Sequence, residues 1–204
     1  MSETLRENNL VFPREVRGWL NPNEGEILYQ LAQRNKDLGI VVELGSYYGR
    51  STICLAQGVQ DVNNGKVYAI DLFKGNRYIS SSDLLPKFQE NVASYGVIDV
   101  VNPVKGDFSD VAKAWNIPIR LLFIDGVHQY EGVKRDFADW EKYVAAGGII
   151  AFHDSLNSPG VTRFIIEILR SGKFSQCQTL DSYAGLTYTV KANPDDHILD
   201  SGML

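Results

Sequence analysis

Four places in the sequence set an acid or an imidazole at the end of a short apolar run. Glu43 follows Ile40, Val41 and Val42, and Asp71 closes the run from Lys66 to Ile70. Asp125 closes the run from Arg120 to Ile124, and His153-Asp154 closes the run that starts at Ile149. One such residue could be a helix cap. Four of them, at the ends of strands buried enough to be parallel, define a site, because ligands of doubly wound sheets bind outside the carboxyl ends of the strands. Carboxylates at that edge can accept hydrogen bonds from ammonium or hydroxyl groups, or hold a cation. His128 lies three residues after Asp125. Histidine titrates near neutral pH, which suits it to removing a proton from a hydroxyl.

The stretch that positions the first acid organises the chain. The apolar residues 40–42 read as a buried strand, followed by Glu43-Leu-Gly45-Ser-Tyr-Tyr-Gly49. Ser51, Thr52, Ile53, Leu55 and Ala56 then begin a helical pattern. Strand, glycine turn and helix together hold an anionic group against helix N–H groups. Gly45 allows the sharp turn, and Gly49 allows close approach of a ligand or a helix. Glu43 would repel a pyrophosphate but can accept from an ammonium, so the spacing predicts an amino-acid-bearing nucleoside rather than a dinucleotide. Asp71 falls 26 residues after Gly45. An acid ending strand two about 20 residues on accepts from ribose hydroxyls in nucleoside-binding units; the other reading of Asp71 is a helix cap.

The remaining elements follow in order. Residues 1–22, with Val11, Phe12, Trp19 and Leu20, read as an N-terminal arm that packs on the core, covers a site or forms a dimer contact. Asn21 and Pro22 open a helix as N-cap and first residue, with Ile27, Leu28, Leu31 and Ala32 as its stripe. Residues 72–84 are polar and irregular, a loop beside the site. Residues 85–95 are an amphipathic helix, and 100–105 a strand whose Pro103 suits a sheet edge. A short helix runs from Asp110 to Trp115, then a central strand over 120–125 and a helix over 131–143. Gly147-Gly148 turns the chain into a fifth strand ending at Asp154. A helix over 161–169 and a strand pair, 174–180 and 186–190, close the chain. The alternation predicts an α/β, doubly wound sheet.

The 204 residues fit one domain, 1–204. A net charge of −5 argues against nucleic acid as the partner. No apolar run approaches a membrane span. The two cysteines, Cys54 and Cys177, cannot form a disulfide-rich scaffold, so a reducing compartment is expected. With a polar N-terminus, the expected location is cytoplasmic.

Glu43-x-Gly45-x-x-x-Gly49 resembles motif I of class I S-adenosylmethionine (SAM) dependent methyltransferases. Residues 43–51 are particularly similar to the catechol O-methyltransferase group. Ile124-Asp-Gly-x-His128-x-Tyr130, with Gly147-Gly-Ile-Ile-Ala-Phe-His-Asp154-Ser, is similar to a subfamily that includes macrolide-sugar and aminocoumarin O-methyltransferases and cephalosporin-hydroxylase-like proteins. The resemblance spans residues 40–155. It implies a Rossmann-like, seven-stranded sheet with an antiparallel last strand, and SAM as cofactor. Cofactor contacts would fall on Glu43, Gly45, Ser46, Tyr47, Gly49 and Ser51 of the first turn. Asp71 and Leu72 would serve the ribose side, Asp107 and Phe108 the adenine, and Asp125 the far wall.

His128 stands where catechol methyltransferases carry a lysine base, making His128 and Asp125 the expected catalytic pair. Several relatives hold a divalent cation through an acid after strand four and an adjacent pair after strand five. Here those positions are Asp125 and Asp154, with His153 or Ser155 beside it. The catechol type has Asp-Asn at the second place and the aminocoumarin type has adjacent acids, so this chain departs from both. Asp125, His153 and Asp154 could hold Mg²⁺ or another divalent ion; otherwise Asp154 bonds nearby backbone and His153 is a satisfied core residue. The expected activity is O-methylation of a hydroxyl on a small molecule, a sugar or natural product. The alternatives are a nucleoside-binding protein without transfer activity and a hydroxylase-like enzyme on the same fold.

Overall fold

The computed structural model describes residues 9–75 and 83–193. Its strands are β1 (Ile40–Leu44), β2 (Val67–Asp71), β3 (Val101–Lys105), β4 (Ile119–Ile124), β5 (Val144–Phe152), β6 (Phe174–Leu180) and β7 (Leu186–Lys191). They form one sheet in the order β3-β2-β1-β4-β5-β7-β6. β1 to β5 run parallel, β7 runs antiparallel to β5, and β6 pairs antiparallel with β7. The strand order reverses between β1 and β4, and that switch point lies at the end of the glycine turn.

Helices α1 (Pro22–Gln33), α2 (Arg50–Asp61) and α3 (Leu85–Ser94) precede β3 in the chain, whereas α4 (Phe108–Lys113), α5 (Tyr130–Trp140) and α6 (Pro159–Leu169) follow it. The two sheet faces bury separate cores. Val41, Leu121 and Phe123 join Ile53, Leu55 and Phe88 on one side. Val42, Leu44, Leu122 and Ile124 join Trp140, Phe152 and Phe164 on the other. Alternate residues of β1 and β4 thus face opposite layers, which is why these strands read as unbroken apolar runs.

Two differences from the expected boundaries bear on the site. Gly147 and Gly148 lie inside β5, which begins at Val144. They make an irregularity, not an end: the β4–β5 register shifts between Ile119 and Leu121, and Gly147 takes φ +78°. Helix α4 starts at Phe108 because Asp107, not a later residue, caps it by accepting from Ser109 N at 3.0 Å. Residues 76–82 of the expected loop lie outside the described residues, and its ends are joined by the Leu84 N–H donating to Phe73 O at 2.8 Å.

Pro103 sits on edge strand β3 as expected. The arm, described from residue 9 onward, packs on the core as one of its expected roles. Val11 exchanges two hydrogen bonds with the Gln57 side chain, at 2.9 and 3.0 Å. No described helix is long and apolar enough to cross a membrane.

Candidate active site

The glycine turn is built by contact with β4. Gly45 has φ +95°, and a Cβ there would lie 2.2 Å from Asp125 O, so only glycine fits. The Asp125 N–H donates to Leu44 O at 2.9 Å, which fixes the ends of β1 and β4 side by side. At Gly49, φ +93°, a Cβ would lie 3.1 Å from the Phe88 ring, so its close approach is to helix α3.

Glu43 does not present itself to an incoming ammonium in this structure. It is fully buried, and its two oxygens accept from the Ser51 and Thr52 hydroxyls on α2. Burial raises its pKa to about 7, against the opposing pull of those hydroxyls. Asp71 likewise turns inward. One carboxylate oxygen accepts from Ser46 N and Tyr47 N, each at 2.9 Å, and the other from Phe73 N at 2.7 Å. Sequence reasoning expected ribose hydroxyls as its partners; the structure spends most of its acceptor capacity on holding the turn. Leu72 beside it is exposed. Phe108 lies against Gly126, where a Cβ would be 2.6 Å from its ring, so it bridges the ends of β3 and β4. Asp107 is exposed at the α4 cap.

Two polar atoms at the turn are buried with no hydrogen-bond partner among the described residues: Ser46 Oγ and Tyr47 OH. They border a cavity of about 30 Å³, lined by Gly45, Ser46, Tyr47, Ser51 and Asp125 on one side and by arm residues 17–20 on the other. Unmet hydroxyls and a nearby carboxylate make a polar set that fits the amino-acid end of SAM.

The second half of the site gathers at the ends of β4 and β5. His153 is 3% exposed. Its Nδ1 lies 3.2 Å from Asp125 Oδ1 and 3.4 Å from Asp154 Oδ2, and its Nε2 lies 3.2 Å from Glu24 Oε2. Burial alone would lower the imidazole pKa, but these carboxylates override it and push it up to about 12. Both ring nitrogens thus lie at hydrogen-bond distance from carboxylates. The expected ligand role of His153 would require one ring nitrogen to give up its carboxylate partner. The repulsion expected between Asp125 and Asp154 is relieved by this imidazolium.

His128 takes the outer position. Its Nε2 lies 3.0 Å from Asp154 Oδ2, and the ring is about half exposed. Asp154 adopts φ +55°, a left-handed conformation uncommon outside glycine, which aims its carboxylate between the two imidazoles. Its pKa is lowered: burial opposes, but His153 and His128 outweigh it. Asp125, His128 and Asp154 offer ligand atoms within 4.8 Å of one another. The structure thus brings Asp125 and Asp154 together as expected and puts His128, not His153, at the open side.

Sequence reasoning missed Glu24. It is the third residue of α1 and closes a capping box, its Oε2 accepting from Asn21 N at 2.9 Å. It is also fully buried, bonded to His153 and to the Ser182 hydroxyl from the β6–β7 loop, and its pKa is lowered because those bonds outweigh burial. A capping box explains a Glu at this position, so no further local signal marked it.

The sheet order, the antiparallel β7 and an acid-lined edge at the switch point define a class I methyltransferase fold. The chain belongs to the methyltransferase family described as "Methyltransferase domain", which it matches over residues 42–155, more than half its length. An uncharacterised protein of Acanthamoeba polyphaga mimivirus is 35% identical over 88 residues, covering 39% of each chain. This chain spans well under half the length of the curated relatives it matches, 13% and 39%. Among solved structures, an O-methyltransferase from Bacillus cereus in complex with SAH superposes with a TM-score of 0.68 at 19% identity, covering 87% of this chain and 84% of the other. The O-methyltransferase TomG from Streptomyces achromogenes, in complex with SAM, gives 0.66 at 17% identity, covering 86% and 82%. At these identities the likeness shows the fold.

Proposed function

We propose that the protein is a SAM-dependent O-methyltransferase acting on a hydroxyl of a small molecule, a sugar or natural product, in the cytoplasm. One observation carries the reading. Asp125 lines the cavity at the glycine turn and also belongs to the Asp125–His128–Asp154 cluster, so a cofactor site and a proton-accepting group meet at one carboxylate. The SAM and SAH complexes of the structural neighbours support the cofactor.

SAM, when bound, supplies a methyl group already activated on a sulfonium, so the protein's work is alignment and deprotonation. Here His128 accepts the proton of the acceptor hydroxyl. Asp154, 3.0 Å from its Nε2, orients the ring. His153, held by Glu24, keeps Asp125 and Asp154 in place from behind. The acidic overall charge favours a small acceptor over nucleic acid.

A second reading rests on the 4.8 Å clustering of Asp125, His128 and Asp154: these would hold a divalent cation, which would lower the pKa of the acceptor hydroxyl. Methyl transfer to a panel of hydroxylated acceptors, run with Mg²⁺ and with EDTA, separates the two. With His128 as the base, transfer continues in EDTA and His128→Ala lowers kcat by about 10²–10⁴. Loss of transfer in EDTA, restored by Mg²⁺ or Mn²⁺, would replace the base with the ion.

A further inference from the structure

Arg50, the first residue of α2, is committed to the N-terminal arm. Its guanidinium donates to four backbone carbonyls in alternating positions: Arg14 O at 3.2 Å, Val16 O at 2.6 Å, Gly18 O at 2.7 Å and Leu20 O at 3.1 Å. A single rigid fork of charged donors thus grips a strip of turns and bends. Gly18 allows this approach, since a Cβ there would lie 3.1 Å from Arg50 Cβ.

The gripped strip is the wall of the cavity at the glycine turn. Residues 17–20 face Gly45, Ser46 and Tyr47 and leave about 30 Å³ between them. Sites for small molecules and cofactors run to about 300–1,000 Å³. The amino-acid end of a nucleoside cofactor therefore has no room at the glycine turn while the strip stays where it is. The unmet hydroxyls of Ser46 and Tyr47 lie behind it. Trp19 covers Tyr47, ring centroids 5.2 Å apart, yet is 72% exposed, so it is weakly held. On its other side the strip borders a groove of about 460 Å³, between Val16 and Arg17 and Asn91 of α3 with its C-cap Tyr95. The strip has space to shift into.

We propose that residues 14–20 form a strap that gates the cofactor cavity, with Arg50 as its latch. The proposal rests on the cofactor reading given above. The strap opens when Arg50 releases its carbonyls, the segment moves towards the α3 groove, and the cofactor then reaches Ser46, Tyr47 and Asp125. Anchoring of Val11 by Gln57 keeps the far end in place, so the motion is local to the strap.

The short Gly18–Arg50 distance supplies the test. Gly18→Cys with Arg50→Cys, in a Cys177→Ser background, places two thiols close to the Cβ separation of about 3.5–4.5 Å that a disulfide needs. The double variant lacks the latch when reduced and has the strap bolted when oxidised, so each protein is its own control for folding. SAH association is followed by stopped-flow Trp emission. The expected result is an association rate at least tenfold faster than wild type in the reduced variant, and at least tenfold slower than wild type in the oxidised one, reversed by reductant. Equal association rates in the two redox forms would overturn the strap alone. Absence of SAH binding from both wild type and the reduced variant would overturn the cofactor reading as well.

Discussion

Strand β4 carries a buried cation near its beginning and leads to another site of buried charge at its end, and the two are handled differently. At the amino edge of the sheet, Arg120 is fully buried and donates to Gly39 O at 2.8 Å, Asn64 O at 3.2 Å and Ala32 O at 2.9 Å. Backbone carbonyls meet its N–H groups, and Gly65 makes room, because a Cβ there would lie 2.7 Å from the guanidinium. At the carboxyl edge, His153 is met by Glu24, Asp125 and Asp154. The carbonyls meet both terminal nitrogens of the buried Arg120 cation, leave its Nε without a partner among the described residues, and bring no surplus charge. Three carboxylates around one imidazolium leave surplus negative charge, and two of them, Asp125 and Asp154, reach the open side beside His128. The first arrangement ties strands and loops together; the second keeps groups able to bind and to exchange protons. Buried charge by itself does not mark function, whereas unbalanced buried charge next to a cavity does.

Substitutions at the two edges should therefore separate activity from stability. The largest effect is expected from Asp154→Ala, which removes the carboxylate shared by His128 and His153. Methyl transfer should vanish while SAH affinity stays within about tenfold, measured by label transfer and calorimetry on the same preparation. Full transfer in that variant would show that the carboxyl edge is structural, like the amino edge.

At the other end, Arg120→Ala strands three buried carbonyls at about 1–3 kcal/mol each, so denaturant unfolding should report a loss of about 3–9 kcal/mol. Transfer per folded molecule should be unchanged. A variant that folds normally but turns over slowly would erase the contrast.

Glu43 tests a smaller and pH-dependent term. Its folded pKa, about 7, lies above its ordinary 4.5. Between those values the unfolded chain has released the proton and the native state still holds it. Stability therefore falls as pH rises through that window, by about 3 kcal/mol at ~1.36 kcal/mol per unit. Urea titrations at either end of the window should show that fall in wild type and a flat profile in Glu43→Gln. An equal slope in both would mean that the buried Glu43 is not the group responsible.

How much of this was legible beforehand depends on how local each signal is. The strands over 40–44 and 119–124 announced themselves as apolar runs because both faces are buried, and Pro103 marked the edge because a proline cannot serve a central ladder. Glu43, Asp71, Asp125 and Asp154 were found at the correct edge by their position after those runs. Their partners were not. Asp71 serves the N–H groups of the turn, and Glu43 serves α2 hydroxyls, because a tight glycine turn creates its own unsatisfied donors. Glu24 meets His153 across 129 residues, and Arg50 meets the arm across 30–36, distances over which no periodicity speaks. The placing of His128 at the open side and of His153 behind it has the same origin, because burial among carboxylates is a tertiary property.

The central claim is that the glycine turn and the carboxyl edge form one SAM site, and SAH binding tests it most directly. Calorimetry on wild type should give micromolar affinity, about −8 kcal/mol, and Asp71→Ala, which frees the turn from its carboxylate, should weaken it by about 1–3 kcal/mol. NAD binding more tightly than SAH, or SAH binding equally to wild type and Asp71→Ala, would contradict the account.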